Sequence, residues 1–200
     1  MAQTDTQPVQ FTTSDGVTIS GDLRVPDAPR AGAIICHPHP QYGGNRYNNV
    51  VQALFDALPA AGIAALRFDF RSEYDDGRGE GLDAIAALEH IDAAVPDVSF
   101  AVTGYSFGAM IVLGLDDERI VAKVLAAPPL AAMPIERGMD VPTLVLTPAH
   151  DQFSAPEATN AIISDWPQTT HETIDSADHF LVGRTAQVAE RTVEFLLGAV

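Results

Sequence analysis

The chain has 200 residues and a mass of 21.2 kDa, with 11 basic and 27 acidic side chains, a formal net charge of −16 and a pI near 4.4. Its single lysine is Lys123, and so acidic a chain argues against nucleic acid, whose binding needs clustered Lys/Arg to displace counterions, and against an anionic membrane surface. The lone Cys36 cannot close an intramolecular disulfide, and 46% hydrophobic residues at this length build a core without disulfide or metal staples.

The polar start has no apolar leader segment, and no window approaches 18 uninterrupted apolar residues, so a soluble cytoplasmic protein is expected. Without repeats, low-complexity tracts or linkers, one domain is expected over residues 1–200. Val9 to Thr13 and Val17 to Val25 flank the turn signal Ser14-Asp15-Gly16, predicting a hairpin over about residues 9–25.

The pattern then alternates. Ala31 to Cys36, Ile63 to Phe70, Val98 to Thr103, Val121 to Ala126 and Thr143 to Thr147 are short apolar runs of the kind buried on both faces of a parallel sheet, with Thr169 to Ile174 a weaker sixth. Helices are predicted over Asn49 to Leu58, stopped by Pro59, and over Leu82 to Val95, Ala109 to Leu115, Pro156 to Ile163 and Thr185 to Leu197. Right-handed βαβ units of this kind give an α/β fold, a doubly wound, mostly parallel sheet with helices on both faces, whose ligands bind beyond the C-terminal strand ends.

Gly104-Tyr105-Ser106-Phe107-Gly108 stands where a predicted strand turns into a helix. A serine there is strained with its Oγ projecting, while small flanking residues let backbones approach, which is the nucleophile elbow. A serine alcohol needs a base, and the base needs an orienting carboxylate. In this kind of sheet the chain order is serine, acid, histidine.

Asp151 follows the strand starting at Thr143 and is the candidate acid. A helix N-cap is its competing role, and Asp175 and Asp178 are reserves. His179 follows the last predicted strand and is the candidate base, whereas His171 begins that strand, at the wrong edge of the sheet, and His90 lies inside a helix. His150 adjoins Asp151 and could hydrogen-bond it.

His37-Pro38-His39-Pro40-Gln41-Tyr42-Gly43-Gly44 follows the strand ending at Cys36. Two backbone N–H groups must face a developing oxyanion: one from Phe107, the residue after the serine, the other from this loop. Prolines cannot donate, which favours His39 over Gln41 or Tyr42. The rival reading makes His37 and His39 a pair of metal ligands on a strand end. Tyr42, Met110, Phe153 and Phe180 flank these motifs as candidate substrate-binding walls, with ordinary core packing as the alternative.

From Ala33 to Phe195 the chain resembles the α/β-hydrolase superfamily, and more narrowly small bacterial hydrolases related to dienelactone hydrolases. The resemblance rests on His37-Pro38-His39-Pro40 with Tyr42-Gly43-Gly44, on Leu66 to Arg71, on Gly77-Arg78-Gly79-Glu80 with Asp83, on the Ser106 motif and on Asp178-His179-Phe180. It implies a minimal fold without a large cap domain and a triad of Ser106, His179 and Asp151. With 200 residues and an elbow serine already present, no metal or other cofactor is expected. The chain departs from that pattern at Ser72 to Asp76 and at Pro148, where glycine is usual three residues before the acid.

Hydrolysis of small or short-acyl carboxylic esters through an acyl-enzyme is the expected activity, with a small-molecule ester as the partner and a homodimer open through an exposed strand edge. An inactive binding module of the same fold, or a metal-dependent hydrolase built on His37 and His39, are the alternatives.

Overall fold

The computed structural model describes residues 5–133 and 136–200. The hairpin forms as predicted, with β1 (Gln7–Thr12) and β2 (Thr18–Arg24) antiparallel in register from Gln7↔Leu23 to Thr12↔Thr18. The alternating part follows as β3 (Ala31–Cys36), α1 (Asn49–Ala60), β4 (Ile63–Phe68), α2 (Arg78–Ala94), β5 (Ser99–Tyr105), α3 (Phe107–Gly114), β6 (Ile120–Ala126), β7 (Thr143–His150), α4 (Pro156–Ile163), β8 (Thr169–Asp178) and α5 (Thr185–Ala199). These strands form one sheet in the order β1-β2-β4-β3-β5-β6-β7-β8, antiparallel at β1/β2 and β2/β4 and parallel from β4 onward.

Successive side chains of a strand face opposite sides of the sheet, and the core is accordingly split in two. Ile34, Leu66, Val102 and Val145 join Leu88 and Ile91 of α2 and most of α3 on one face. Ile35, Ala65, Ala101 and Leu144 join Val51 and Leu54 of α1 and Val188 and Leu196 of α5 on the other. Among the described residues, no helix is long and apolar enough to cross a membrane.

Several boundaries differ from the sequence-based expectation, and three of them have a clear local reason. Helix α1 runs through Pro59 to Ala60. Pro59 has no N–H to give the Phe55 carbonyl, and Arg24 supplies the donor instead, Nη1 to O at 3.2 Å. Helix α2 starts at Arg78, one turn earlier than its apolar stripe suggests, because the buried Glu80 carboxylate accepts the N–H groups of Asp75 (3.1 Å) and Gly77 (3.0 Å). Strand β7 extends to His150 by pairing with Asp178 across an irregularity in the ladder. The last shift puts Asp151 and His179 side by side at the ends of neighbouring strands.

The Gly77 to Asp83 motif also holds the loop after β4. Arg71 is clamped by Asp83 (Nε to Oδ1 3.0 Å, Nη2 to Oδ1 2.9 Å) and by Asp15 of the hairpin turn (Nη1 to Oδ2 2.8 Å). A Cβ on Gly79 would lie 2.5 Å from that guanidinium, so a larger residue there would push the Arg71 side chain out of its clamp.

Candidate active site

The turn between β5 and α3 is shaped by close backbone approach. A Cβ on Gly104 would come within 2.2 Å of the Gly108 carbonyl oxygen, and one on Gly108 within 2.3 Å of that of Cys36. Between them Ser106 takes φ 54° and ψ −117°, in the region of positive φ that costs an L-residue energy. Its N–H donates to the Ala126 carbonyl at 2.9 Å, which ties the turn to β6.

From Ser106 a chain of hydrogen bonds runs down through His179 to Asp151. Ser106 Oγ lies 2.8 Å from His179 Nε2, and His179 Nδ1 lies 2.8 Å from Asp151 Oδ2. The carboxylate can only accept, so Nδ1 carries the proton and Nε2 is left with a lone pair facing the serine hydroxyl. Asp151 Oδ1 accepts the N–H groups of Phe153 (2.8 Å) and Ser154 (3.1 Å). Asp151 is not the N-cap of α4, which is Ala155; one oxygen of this buried carboxylate holds the loop before that helix and the other pairs with His179.

The other candidates fall away from this chain. Asp175 and Asp178 are exposed, and Asp178 Oδ1 accepts the Phe180 N–H at 3.0 Å. His150 is exposed, His171 bonds Thr147 Oγ1 at 3.0 Å from within β8, and His90 stacks on Phe11 at 5.2 Å.

Phe107 opens α3, so its N–H belongs to the first turn, which has no intrahelical acceptor. In the loop after β3 the Gln41 N–H is spent on His39 Nδ1 (3.2 Å) and that of Tyr42 on the His39 carbonyl (3.1 Å). Of the three donors that sequence leaves open, two are therefore consumed within a short 3-10 turn at Pro40–Tyr42, leaving His39.

A cavity of about 640 Å³ opens over Ser106, and its wall includes His39, Tyr42, Phe107, Phe153, His179 and Phe180. Met110 is absent from that wall. It faces the core on α3 at 1% exposure, so its place as a substrate-binding residue is corrected, because one helical turn beyond the elbow carries its side chain under the sheet face. Pro129, Ala132 and Met133 line the cavity in its place, and sequence reading missed them. Their signal was position, since they follow β6 at the same strand-end edge as Ser106.

The comparisons with known proteins agree with this fold. The uncharacterized protein RP471 of Rickettsia prowazekii (strain Madrid E) is 31% identical to this chain, across 86% of this chain and 80% of that protein. An alpha-beta serine hydrolase homologue from Coxiella burnetii is 27% identical, with a TM-score of 0.84 over 95% of this chain and 97% of that one. Dienelactone hydrolase from Anabaena variabilis, 18% identical, has the same fold, with a TM-score of 0.83 and 99% of both chains covered. No family model matches the chain.

The chain belongs to the α/β-hydrolase superfamily. In this hydrolase the metal reading of His37 and His39 fails on geometry. Strand β3 ends at Cys36, before either histidine. His37 uses both ring nitrogens inside the protein, Nδ1–H donating to the Pro38 carbonyl (2.6 Å) and Nε2 accepting the Phe70 N–H (3.0 Å), which leaves no lone pair for a metal. The His39 ring lies against Tyr42, Tyr74 and Phe107 at centroid distances of 4.7 to 4.9 Å. Burial holds both imidazoles below the usual histidine range, so both are neutral at pH 7. Cys36 is fully buried and burial pushes its thiol up, which leaves it an inert core residue.

Proposed function

We propose that this α/β hydrolase is a carboxylesterase for small or short-acyl esters, acting through Ser106, His179 and Asp151 and an acyl-enzyme. The observation that carries this reading is the unbroken run of hydrogen bonds from Asp151 through His179 to a serine held at positive φ. A binding module has no use for an oriented imidazole pointed at a strained hydroxyl.

In the first half-reaction Ser106 Oγ bonds to the ester carbonyl carbon while His179 Nε2 takes its proton. The tetrahedral oxyanion is received by the N–H groups of Phe107 and His39, and loss of one such donor typically costs about 3 kcal/mol of transition-state stabilisation. The carbon–oxygen bond to the alcohol then breaks, and His179 returns the proton to the leaving alcohol. Water repeats the sequence on the acyl-Ser106 ester and releases the acid. Asp151 keeps its charge throughout and steadies the imidazolium.

The test is the intact mass of the protein after exposure to a fluorophosphonate probe, for the native chain and for Ser106→Ala, each with and without chelator. The expected result is one adduct on the native chain, none on the variant and no effect of chelator, with ester turnover lost by at least ~10⁴-fold in the variant. An unlabelled native chain beside a labelled control serine hydrolase overturns the reading in favour of a binding role.

A further inference from the structure

We propose that the cavity over Ser106 selects neutral esters with an apolar acyl chain and turns away substrates that bear a carboxylate. This rests on the esterase reading and adds to it a charge class of substrate.

The first ground is the wall itself. Pro129, Ala132, Met133, Phe153 and Phe180 offer hydrocarbon, and among the described residues lining the cavity there is no lysine or arginine. Of the arginines in the surrounding loops, Arg46 pairs with Asp22 and Asp69, Arg71 with Asp15 and Asp83, Arg78 with Asp75 and Arg137 with Asp140, while Arg184, four residues beyond Phe180, pairs with no carboxylate among the described residues but stands outside the cavity wall. Lys123 is buried at the C-terminal end of α3, the end away from Ser106, with Nζ bonded to the Leu113 (3.1 Å) and Leu115 (2.8 Å) carbonyls.

The second ground is the sign of the charges that do face this end of the sheet. Asp151 lies beneath His179, and Asp178 precedes it. Both raise the Tyr105 phenol at the cavity floor, on top of the larger effect of burial. Beyond them stands a net charge of −16. A carboxylate entering the cavity would lose its hydration without gaining a cation, and would do so against a repulsive field.

The test compares two para-nitrophenyl esters with six acyl carbons each, the hexanoate and the monoester of adipate, which differ in a terminal methyl against a carboxylate. Each cleavage consumes one water and releases one nitrophenol. The expected kcat/KM for the hexanoate exceeds that for the adipate monoester by about tenfold or more at low salt, and the gap narrows on screening with roughly 0.5 M NaCl. Ala132→Arg, which puts a cation in the wall, is expected to raise the adipate-to-hexanoate ratio about fivefold or more. Equal or faster turnover of the adipate ester overturns the proposal, as does an absence of hexanoate turnover. If Ser106 still takes the fluorophosphonate adduct in either of those cases, charge selection alone has failed; if it does not, the esterase reading has failed with it.

Discussion

The Tyr105 hydroxyl donates a 2.8 Å hydrogen bond to the main-chain carbonyl of His179, linking the residue before the elbow serine to the backbone of the residue that faces it. Both partners are buried, so the bond fixes where the His179 ring begins without touching the ring. Tyr105→Phe leaves a buried carbonyl without its donor, at a cost of about 1–3 kcal/mol in unfolding free energy. As a positioning residue it is expected to lower kcat several-fold while KM stays within about twofold. Steady-state kinetics with a urea titration checks this: a stability loss with kcat unchanged would mean the tether is structural only.

Asp151 and Asp178 are both close in sequence to a strand end at the site, but only Asp151 reaches the imidazole. Asp151→Asn offers an amide to Nδ1 and invites the wrong tautomer, so kcat is expected to fall by about 10⁴-fold. Asp178→Asn keeps an oxygen for the Phe180 N–H and is expected to stay within about threefold of the native rate. Measuring both variants on one ester decides the assignment, which would move to Asp178 if the two losses were reversed.

The fold was legible because burial on two faces leaves an apolar run at every central strand, and all six predicted parallel-strand segments are present. Ser106, Asp151 and His179 were legible because a strand end is a position that sequence order reveals. What sequence could not give was direction. Met110 and Met133 are equally apolar and each follows a strand that ends at the site, but the pitch of α3 sends one into the core and a turn after β6 sends the other to the cavity. His37 and His39 likewise sit two apart, and only the Phe70 N–H arriving from the end of β4 marks His37 as a framework residue. Helix α2 started early for a similar reason, since Glu80 closes on Asp75 and Gly77, a contact that hydrophobic periodicity does not register.

Lys123 makes a pH test of stability on the alkaline side. Burial pushes its ammonium down to about 8, whereas an unfolded lysine titrates at about 10.4. Between those values the unfolded chain binds the additional proton, so this group adds stability as pH rises through the window. Relative to Lys123→Met, the native chain is expected to gain in urea midpoint between pH 8 and 10.5, with the contributions of Cys36 and Tyr105 common to both proteins. Parallel midpoints across that range would show that the lysine does not titrate in the folded state.

His37 sets the corresponding test on the acid side. Its Nε2 accepts the Phe70 N–H and burial holds its pKa below the ordinary value, so the folded state resists a proton that the unfolded chain takes up readily. The unfolded state therefore binds more protons as pH falls through about 6.5, and stability drops with it. Protonation would also place two N–H groups face to face at Phe70 and remove one of the anchors of the loop after β4, beside the Arg71 clamp. His37→Gln retains one acceptor and does not titrate, so its urea midpoint is expected to start lower at pH 7.5 yet fall less steeply toward pH 5 than that of the native chain. Because His39, His90 and His171 are also held below the usual histidine range by burial, the native slope alone proves nothing about His37. The difference between the two slopes isolates it, and identical slopes would assign the acid sensitivity to the other histidines.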